Sequence, residues 1–174
     1  MTVSFHNDQP DEFLSILHEV GQWLTDSGHE LWQPNALTAE NLFDDYTLDN
    51  CYVMSVGETP AAGVPAVETP AATFILQWKD PLYYANVPDH TAGFIHKVAI
   101  RRQFAGQGLF AHVLDFCREQ CRERGIYELQ LETDATRPAL MHFYERHGFL
   151  PVYQKSIHEF GQSFLCQYYV LRFS

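Results

Sequence analysis

Val98-Ala99-Ile100-Arg101-Arg102-Gln103-Phe104-Ala105-Gly106-Gln107-Gly108-Leu109-Phe110 is the stretch on which the fold turns. Apolar and β-branched residues from Phe94 to Ile100 predict a strand. Gly106 and Gly108 supply a turn. From Leu109 to Arg124, Phe110, Val113, Leu114, Cys117 and Cys121 recur at helical spacing, with His112, Asp115, Arg118, Glu119, Arg122 and Glu123 on the other face. Strand, glycine turn and helix start therefore come in that order. Glycine lets a backbone turn left-handed and approach a ligand closely. The first N–H groups of a helix lack intrahelical partners and lie at the positive end of its dipole. A pyrophosphate suits such a place.

Two familiar phosphate loops fail here. A dinucleotide fingerprint belongs early in a strand-helix-strand unit, whereas ~100 residues of other elements precede this turn. A Walker loop needs Gly-Lys followed by Ser or Thr, and none follows. A strand-helix turn that binds nothing also fits the two glycines taken alone.

Upstream, Phe13, Ile16, Leu17, Val20 and Leu24 form one apolar stripe and predict a helix over Asp11–Ser27, capped by Asp8 or Asp11 and stopped by Gly28. A shorter helix is expected over Thr38–Asp45, and a strand over Cys51–Val56. Glu58-Thr59-Pro60-Ala61-Ala62 recurs as Glu68-Thr69-Pro70-Ala71-Ala72, and the span 58–72 is expected to be a Pro/Ala-rich loop before a strand over Thr73–Trp78. Residues 79–91, with Tyr83 and Tyr84, read as an aromatic loop. Downstream, Tyr127–Thr133 alternates as a half-buried strand does. Pro138 opens a helix to about Arg146 that carries Leu140, Phe143, Tyr144 and His147 on one face. Strands follow over about Leu150–Glu159 and Ser163–Phe173, joined near Gly161-Gln162. The interleaving predicts an α/β or α+β domain on a mixed sheet, a single domain over residues 1–174.

The net charge of -11 argues against nucleic acid as a partner and is compatible with a cationic substrate. No apolar run approaches the ~20 residues that span a bilayer, and the N-terminus has no signal-peptide pattern, so a cytoplasmic protein without a membrane partner is expected. Cys51, Cys117, Cys121 and Cys166 show no metal-ligand spacing, and no metal site is expected. The sequence is silent on oligomeric state, and a homodimer is compatible with it.

Gln103-x-x-Gly106-x-Gly108 resembles the Gln/Arg-x-x-Gly-x-Gly/Ala signature of the GNAT acyltransferase superfamily. His96-Lys97-Val98-Ala99-Ile100 is similar to that family's fourth strand. Leu140-x-x-Phe143-Tyr144-Glu145-Arg146-His147-Gly148-Phe149 is similar to its last helix motif, Tyr-x-x-x-Gly-Phe. The resemblance covers about Phe94 to Phe149. Arg137 stands where the family commonly has asparagine, and Pro138 and Phe110 are further departures.

The resemblance implies a GNAT-like α+β fold, a twisted mixed sheet of about six or seven strands with about four helices. It implies acetyl-CoA as co-substrate. The pantetheine arm pairs with Val98, Ala99 and Ile100. The amides of Gln103, Ala105, Gly106, Gln107, Gly108, Leu109 and Phe110 hold the pyrophosphate. Arg137 either reaches a phosphate or caps its helix. A backbone N–H near Val98 or Ala99 polarises the acetyl carbonyl. Tyr144 protonates the departing thiolate, or else packs in the core. His96 or Glu132 takes the acceptor's proton, His96 being otherwise a hydrogen-bonded strand histidine. The acceptor is an amine, of a small molecule in the first place and of a protein in the second, which attacks directly without a covalent enzyme intermediate, with Trp23, Trp32, Trp78, Tyr83 and Tyr84 as candidate pocket aromatics. The alternative is a non-catalytic acyl-CoA sensor or interaction protein on the same fold.

Overall fold

The computed structural model describes residues 1–32, 37–58, 67–159 and 162–174. The chain divides into two compact units, Met1–Leu76 with Lys97–Val113, and Gln77–His96 with Leu114–Ser174.

The first unit holds β1 (Thr2–His6), α1 (Pro10–Asp26), α2 (Ala39–Asp45), β2 (Cys51–Gly57) and all but the last residue of β3 (Glu68–Gln77). It also holds the second half of β4 (Gly93–Ile100) and the first turn of α3 (Leu109–Arg122). The predicted stripe of α1 is its buried face: Phe13, Ile16, Leu17 and Val20 pack with Leu37, Leu42, Val53, Ile75 and Ala99. Each such side chain contributes roughly 1.5–3 kcal/mol on burial. Neither Asp8 nor Asp11 caps the helix. Gln9 is the cap residue and makes no side-chain cap bond, because Pro10 already sets the first turn. Thr38 does cap α2, its hydroxyl accepting from the Asn41 N–H at 3.2 Å.

Two differences from expectation appear at the edge of this unit. Residues 2–6 form β1, antiparallel to β2 from Thr2↔Gly57 to His6↔Val53. At five residues, with no fully buried side chain, its alternation is too short to be read. β3 begins at Glu68, so the second Glu-Thr-Pro-Ala-Ala copy is strand and not loop. Pro70 is tolerated because the ladder bulges there: Ser55 pairs with Pro70 and Met54 with Ala72. Most of the first copy lies outside the described residues.

The second unit holds the first half of β4, the rest of α3, β5 (Glu128–Asp134), α4 (Pro138–Arg146), β6 (Leu150–Glu159) and β7 (Gln162–Arg172). β5 pairs with β7, and β7 with β6, both antiparallel. β4 and β5 run parallel, in register at Gly93↔Leu129 and Phe94↔Gln130. The alternation predicted for β5 is present, with Leu129, Leu131 and Thr133 inward. Gly161, expected at the β6–β7 junction, lies outside the described residues. Tyr84, Phe94, Ile157, Cys166 and Tyr168 form a core. The strand order is β1-β2-β3-β4-β5-β7-β6, a seven-stranded mixed sheet, and the fold is α+β as expected. All four cysteines are buried free thiols. Burial pushes Cys51 up to about 12 and Cys121 up to about 11, so neither is a thiolate nucleophile at neutral pH.

Candidate active site

In the first unit, β4 leaves the extended region at Lys97, whose φ is +50°. A lysine in the left-handed region is strained. The kink falls one residue before Val98, the amide that the resemblance aims at an acetyl carbonyl. After Ile100, residues Arg102–Phe104 make one 3-10 turn. Gly106 and Gly108 both lie in the left-handed region, at φ +76° and +73°. A Cβ at either would meet nothing within 4 Å. Glycine is therefore required by backbone conformation and not by crowding. The Gln107 side chain donates back to the Gln103 carbonyl at 3.0 Å and closes the turn. The loop residues from Arg102 to Gly108 are exposed apart from Phe104, and α3 begins at Leu109. The predicted order of strand, turn and helix N-terminus is present.

Arg101 fixes the entrance to this loop. Its N–H donates to the Ala71 carbonyl at 2.9 Å. Its guanidinium reaches Glu12 at 2.9 Å, Glu19 at 2.8 Å and the Pro70 carbonyl at 2.9 Å. Sequence reasoning missed this residue. Its partners lie on α1 and β3, and no local pattern announces them.

In the second unit, α4 ends as its sequence predicts. Gly148 is left-handed at φ +91°, and the Phe149 N–H donates to the Tyr144 carbonyl at 3.2 Å. The chain then delivers Phe149 into the core at 1% exposure. The Tyr-x-x-x-Gly-Phe spacing is thus a helix terminus that holds Tyr144 in a set place. Tyr144 is half-buried, 6.1 Å from the Phe149 ring and 6.2 Å from the Tyr169 ring. Burial, then the charge of Glu132, raises its pKa, so its phenol stays protonated. Arg137 occupies the N-cap position of α4 but makes no cap bond; its Nε donates to Asp134 at 3.0 Å.

His96 lies between two carboxylates. Its Nε2 is 3.0 Å from Asp80 and its Nδ1 is 3.1 Å from Glu132. Asp80 is itself fixed by the N–H groups of Leu82 and Tyr83, at 3.1 and 2.9 Å. Burial opposes a charge on the imidazole, but the Glu132 charge and the bonds to both carboxylates outweigh it and raise the pKa to about 9. The His96 bonds in turn hold Asp80 low against its own burial. At neutral pH both ring nitrogens carry protons. The Gln77 side-chain nitrogen lies 3.2 Å from Nε2, so a protonated ring requires the amide to be assigned the other way round, with its oxygen toward the ring. An imidazolium with both nitrogens committed has no lone pair for a proton. Sequence reasoning named His96 and Glu132 but missed Asp80, which sits in the loop sixteen positions before His96.

The candidate pocket aromatics separate into two sets. Arg102 lies 3.9 Å over Trp23, Lys97 5.9 Å over Trp32 and Arg124 4.3 Å over Trp78. Each tryptophan already carries a cation from its own chain. Tyr83 and Tyr84 instead flank His96, with ring centroids at 5.8 and 6.5 Å.

Comparison with known proteins agrees with this geometry. A Bacillus subtilis (strain 168) protein named Uncharacterized N-acetyltransferase YesJ is 27% identical over 150 residues, covering 82% of this chain and 77% of that protein. A GNAT-family acetyltransferase structure from Listeria monocytogenes superposes with TM-score 0.69 at 17% identity, over 98% of this chain and 95% of that one. A structure of the NatC complex bound to Gag peptide and CoA superposes with TM-score 0.62 at 14% identity over the full length of both chains. The family model described as Acetyltransferase (GNAT) family matches residues 17–149, which include the kinked strand, the glycine loop and the Tyr144 helix. The chain is a member of the GNAT acetyltransferase family, and hence an acyltransferase.

Proposed function

We propose that this enzyme transfers an acetyl group from acetyl-CoA to the amine of a small molecule by direct attack. The observation that carries the reading is the pair of left-handed glycines, Gly106 and Gly108, opening α3 after a kinked strand. Amides of Gln103 to Phe110 hold the pyrophosphate, with Arg137 as a further cation for a phosphate. The strand segment Val98–Ile100 pairs with the pantetheine arm. The amide at Val98 or Ala99 polarises the acetyl carbonyl.

The amine nitrogen forms a bond to the carbonyl carbon, and the carbon–sulfur bond breaks. Sulfur leaves as thiolate and takes the Tyr144 proton. The phenolate recovers the proton that the new amide nitrogen sheds. His96 acts on the acceptor side by holding Glu132 and not by taking the proton itself.

The test is amine-dependent release of free thiol from acetyl-CoA. Wild-type protein releases thiol with at least one amine. Tyr144→Phe lowers turnover at least tenfold and leaves the thermal stabilisation by coenzyme A intact. Turnover unchanged in Tyr144→Phe removes that residue from the mechanism. Stabilisation by acetyl-CoA without thiol release from any amine favours the sensor alternative.

A further inference from the structure

Arg101 and Arg102 are neighbours at the entrance of the glycine loop, and the fold holds them in opposite ways. The Arg101 guanidinium is neutralised by Glu12 at 2.9 Å and Glu19 at 2.8 Å. The Arg102 guanidinium lies 3.9 Å over the Trp23 ring of α1 and has neither an ion pair nor a hydrogen bond among the described residues. The chain has 22 acidic residues against 11 Lys and Arg, so a cation beside a loop without a carboxylate partner stands out. An indole attracts a guanidinium through its ring face. The planar group keeps its five N–H donors along its edge. Trp23 therefore sets the plane of Arg102 and uses none of its donors. Both side chains reach solvent, Trp23 at 36% exposure and Arg102 as an exposed residue. Arg102 opens the 3-10 turn Arg102–Phe104, its carbonyl accepts from the Ala105 N–H at 3.1 Å, and Gly106 follows directly. All of these residues belong to the first unit.

We infer that Arg102, oriented by Trp23, binds the phosphate monoester of the donor, so that the enzyme discriminates coenzyme A from a donor that carries the diphosphate alone. Coenzyme A bears one phosphate outside its diphosphate, on the ribose. In the proposed reaction the diphosphate is served by amides, which are neutral donors. A monoester carries about -1.5 to -2 charges at neutral pH and presents three acceptor oxygens. Its match is the edge of a guanidinium, which gives two parallel N–H bonds to two of those oxygens. The Trp23 stack does not compete with that pair, because the ring uses the face of the guanidinium and the phosphate its edge. Arg101 cannot take the role. Its Nε is bonded to Glu19, one terminal nitrogen to the Pro70 carbonyl and the other to Glu12. Arg102 touches the donor and is a binding residue; Trp23 acts through Arg102 and is a positioning residue.

This inference rests on the reading of acetyl-CoA as donor, and its test separates the two. Calorimetry on the full chain compares coenzyme A with dephospho-coenzyme A, which lacks only the ribose phosphate. Wild-type protein should bind coenzyme A at least about tenfold more tightly. In Arg102→Gln that advantage should vanish: coenzyme A weakens to the level of dephospho-coenzyme A, whose own affinity is unchanged. Arg102→Lys keeps the charge and loses the fork, so it should retain only part of the advantage. Arg102 is exposed, and both variants should melt as wild type does without ligand. Trp23→Leu should lose part of the advantage and Trp23→Phe, which keeps a ring face, should restore it; a packing role for Trp23 would weaken both nucleotides alike. An advantage of wild-type size in Arg102→Gln overturns the inference. Equal loss for both nucleotides in that variant also overturns it, because Arg102 would then bind the diphosphate. Equal affinity of wild-type protein for the two does the same. Each of these three results leaves acetyl transfer standing. An advantage that Arg102→Gln abolishes, without thiol release from any amine, supports the Arg102 site and sinks the transfer. Binding of neither nucleotide removes both readings.

Discussion

Burial alone favours a neutral imidazole, yet His96, at 5% exposure, is held as the cation by the carboxylates on its two sides. That arrangement has a pH signature. A pKa raised from 6.5 to about 9 means that the folded state holds the proton more tightly than the unfolded chain does. The stability so gained is complete below pH 6.5 and is lost as pH rises through about 9. Asp80 works in the opposite direction. Its pKa is lowered from 3.8, so its contribution is present above that value and is lost as pH falls through the lowered value. Melting temperature measured from pH 5 to pH 10 should therefore decline on the alkaline side in wild-type protein. In His96→Gln, the decline between about 6.5 and 9 should be much shallower. A variant with the same alkaline limb as wild type would show that His96 does not hold a proton in the folded state.

At the scale of elements, two glycine-dependent turns do separate work. Gly148 ends α4 and sends Phe149 inward, so it fixes Tyr144 through a helix terminus. Gly108 opens α3, and its conformation faces solvent, with no neighbour to crowd a side chain. Gly108→Ala should thus cost only the left-handed strain, about 1–2 kcal/mol, while loosening coenzyme A binding severalfold. Arg101→Ala should act on the same loop from behind. It removes ion pairs to the partly exposed Glu12 and Glu19 and a bond to the Pro70 carbonyl, a loss on the order of 1–2 kcal/mol. It should weaken coenzyme A binding without touching the cofactor, which calorimetry would read as a lower affinity at an unchanged stoichiometry. Both loop glycines and the α4 terminus were legible in the sequence because each is a local device, complete within about six residues. β1 and the Arg101 anchor were not. Their partners are non-local, β1 on β2 and Arg101 on α1 and β3. Asp80 escaped for the same reason. It caps its own turn, as many aspartates do, and only the fold brings His96 and Glu132 to it. β3 was misread at its start because Pro70 normally signals a loop, and only the bulge in its pairing with β2 makes room for it.

For the molecule as a whole, the net charge of -11 sets opposite long-range conditions for the two substrates. Coenzyme A is a polyanion. It approaches against the field of the protein and, in the proposed reaction, would be captured only at close range, by amides and a helix dipole that act within a turn. A cationic amine approaches with the field. The Debye length falls from about 30 Å at 0.01 M salt to about 10 Å at 0.1 M, so added salt removes the long-range part and spares the short-range contacts. Raising sodium chloride from about 0.01 to about 0.3 M should therefore lower kcat/KM for the amine severalfold. Over the same range, kcat/KM for acetyl-CoA should hold steady or rise, because screening weakens the repulsion more than it weakens the loop's grip. The measurement is two sets of initial rates, each with one substrate saturating and the other well below its KM. A fall for acetyl-CoA as well would mean that a basic patch steers the donor, and an unchanged value for the amine would mean that the acidic surface has no part in choosing the acceptor. A fall for the amine alone would give the surplus of acidic residues a function beyond solubility.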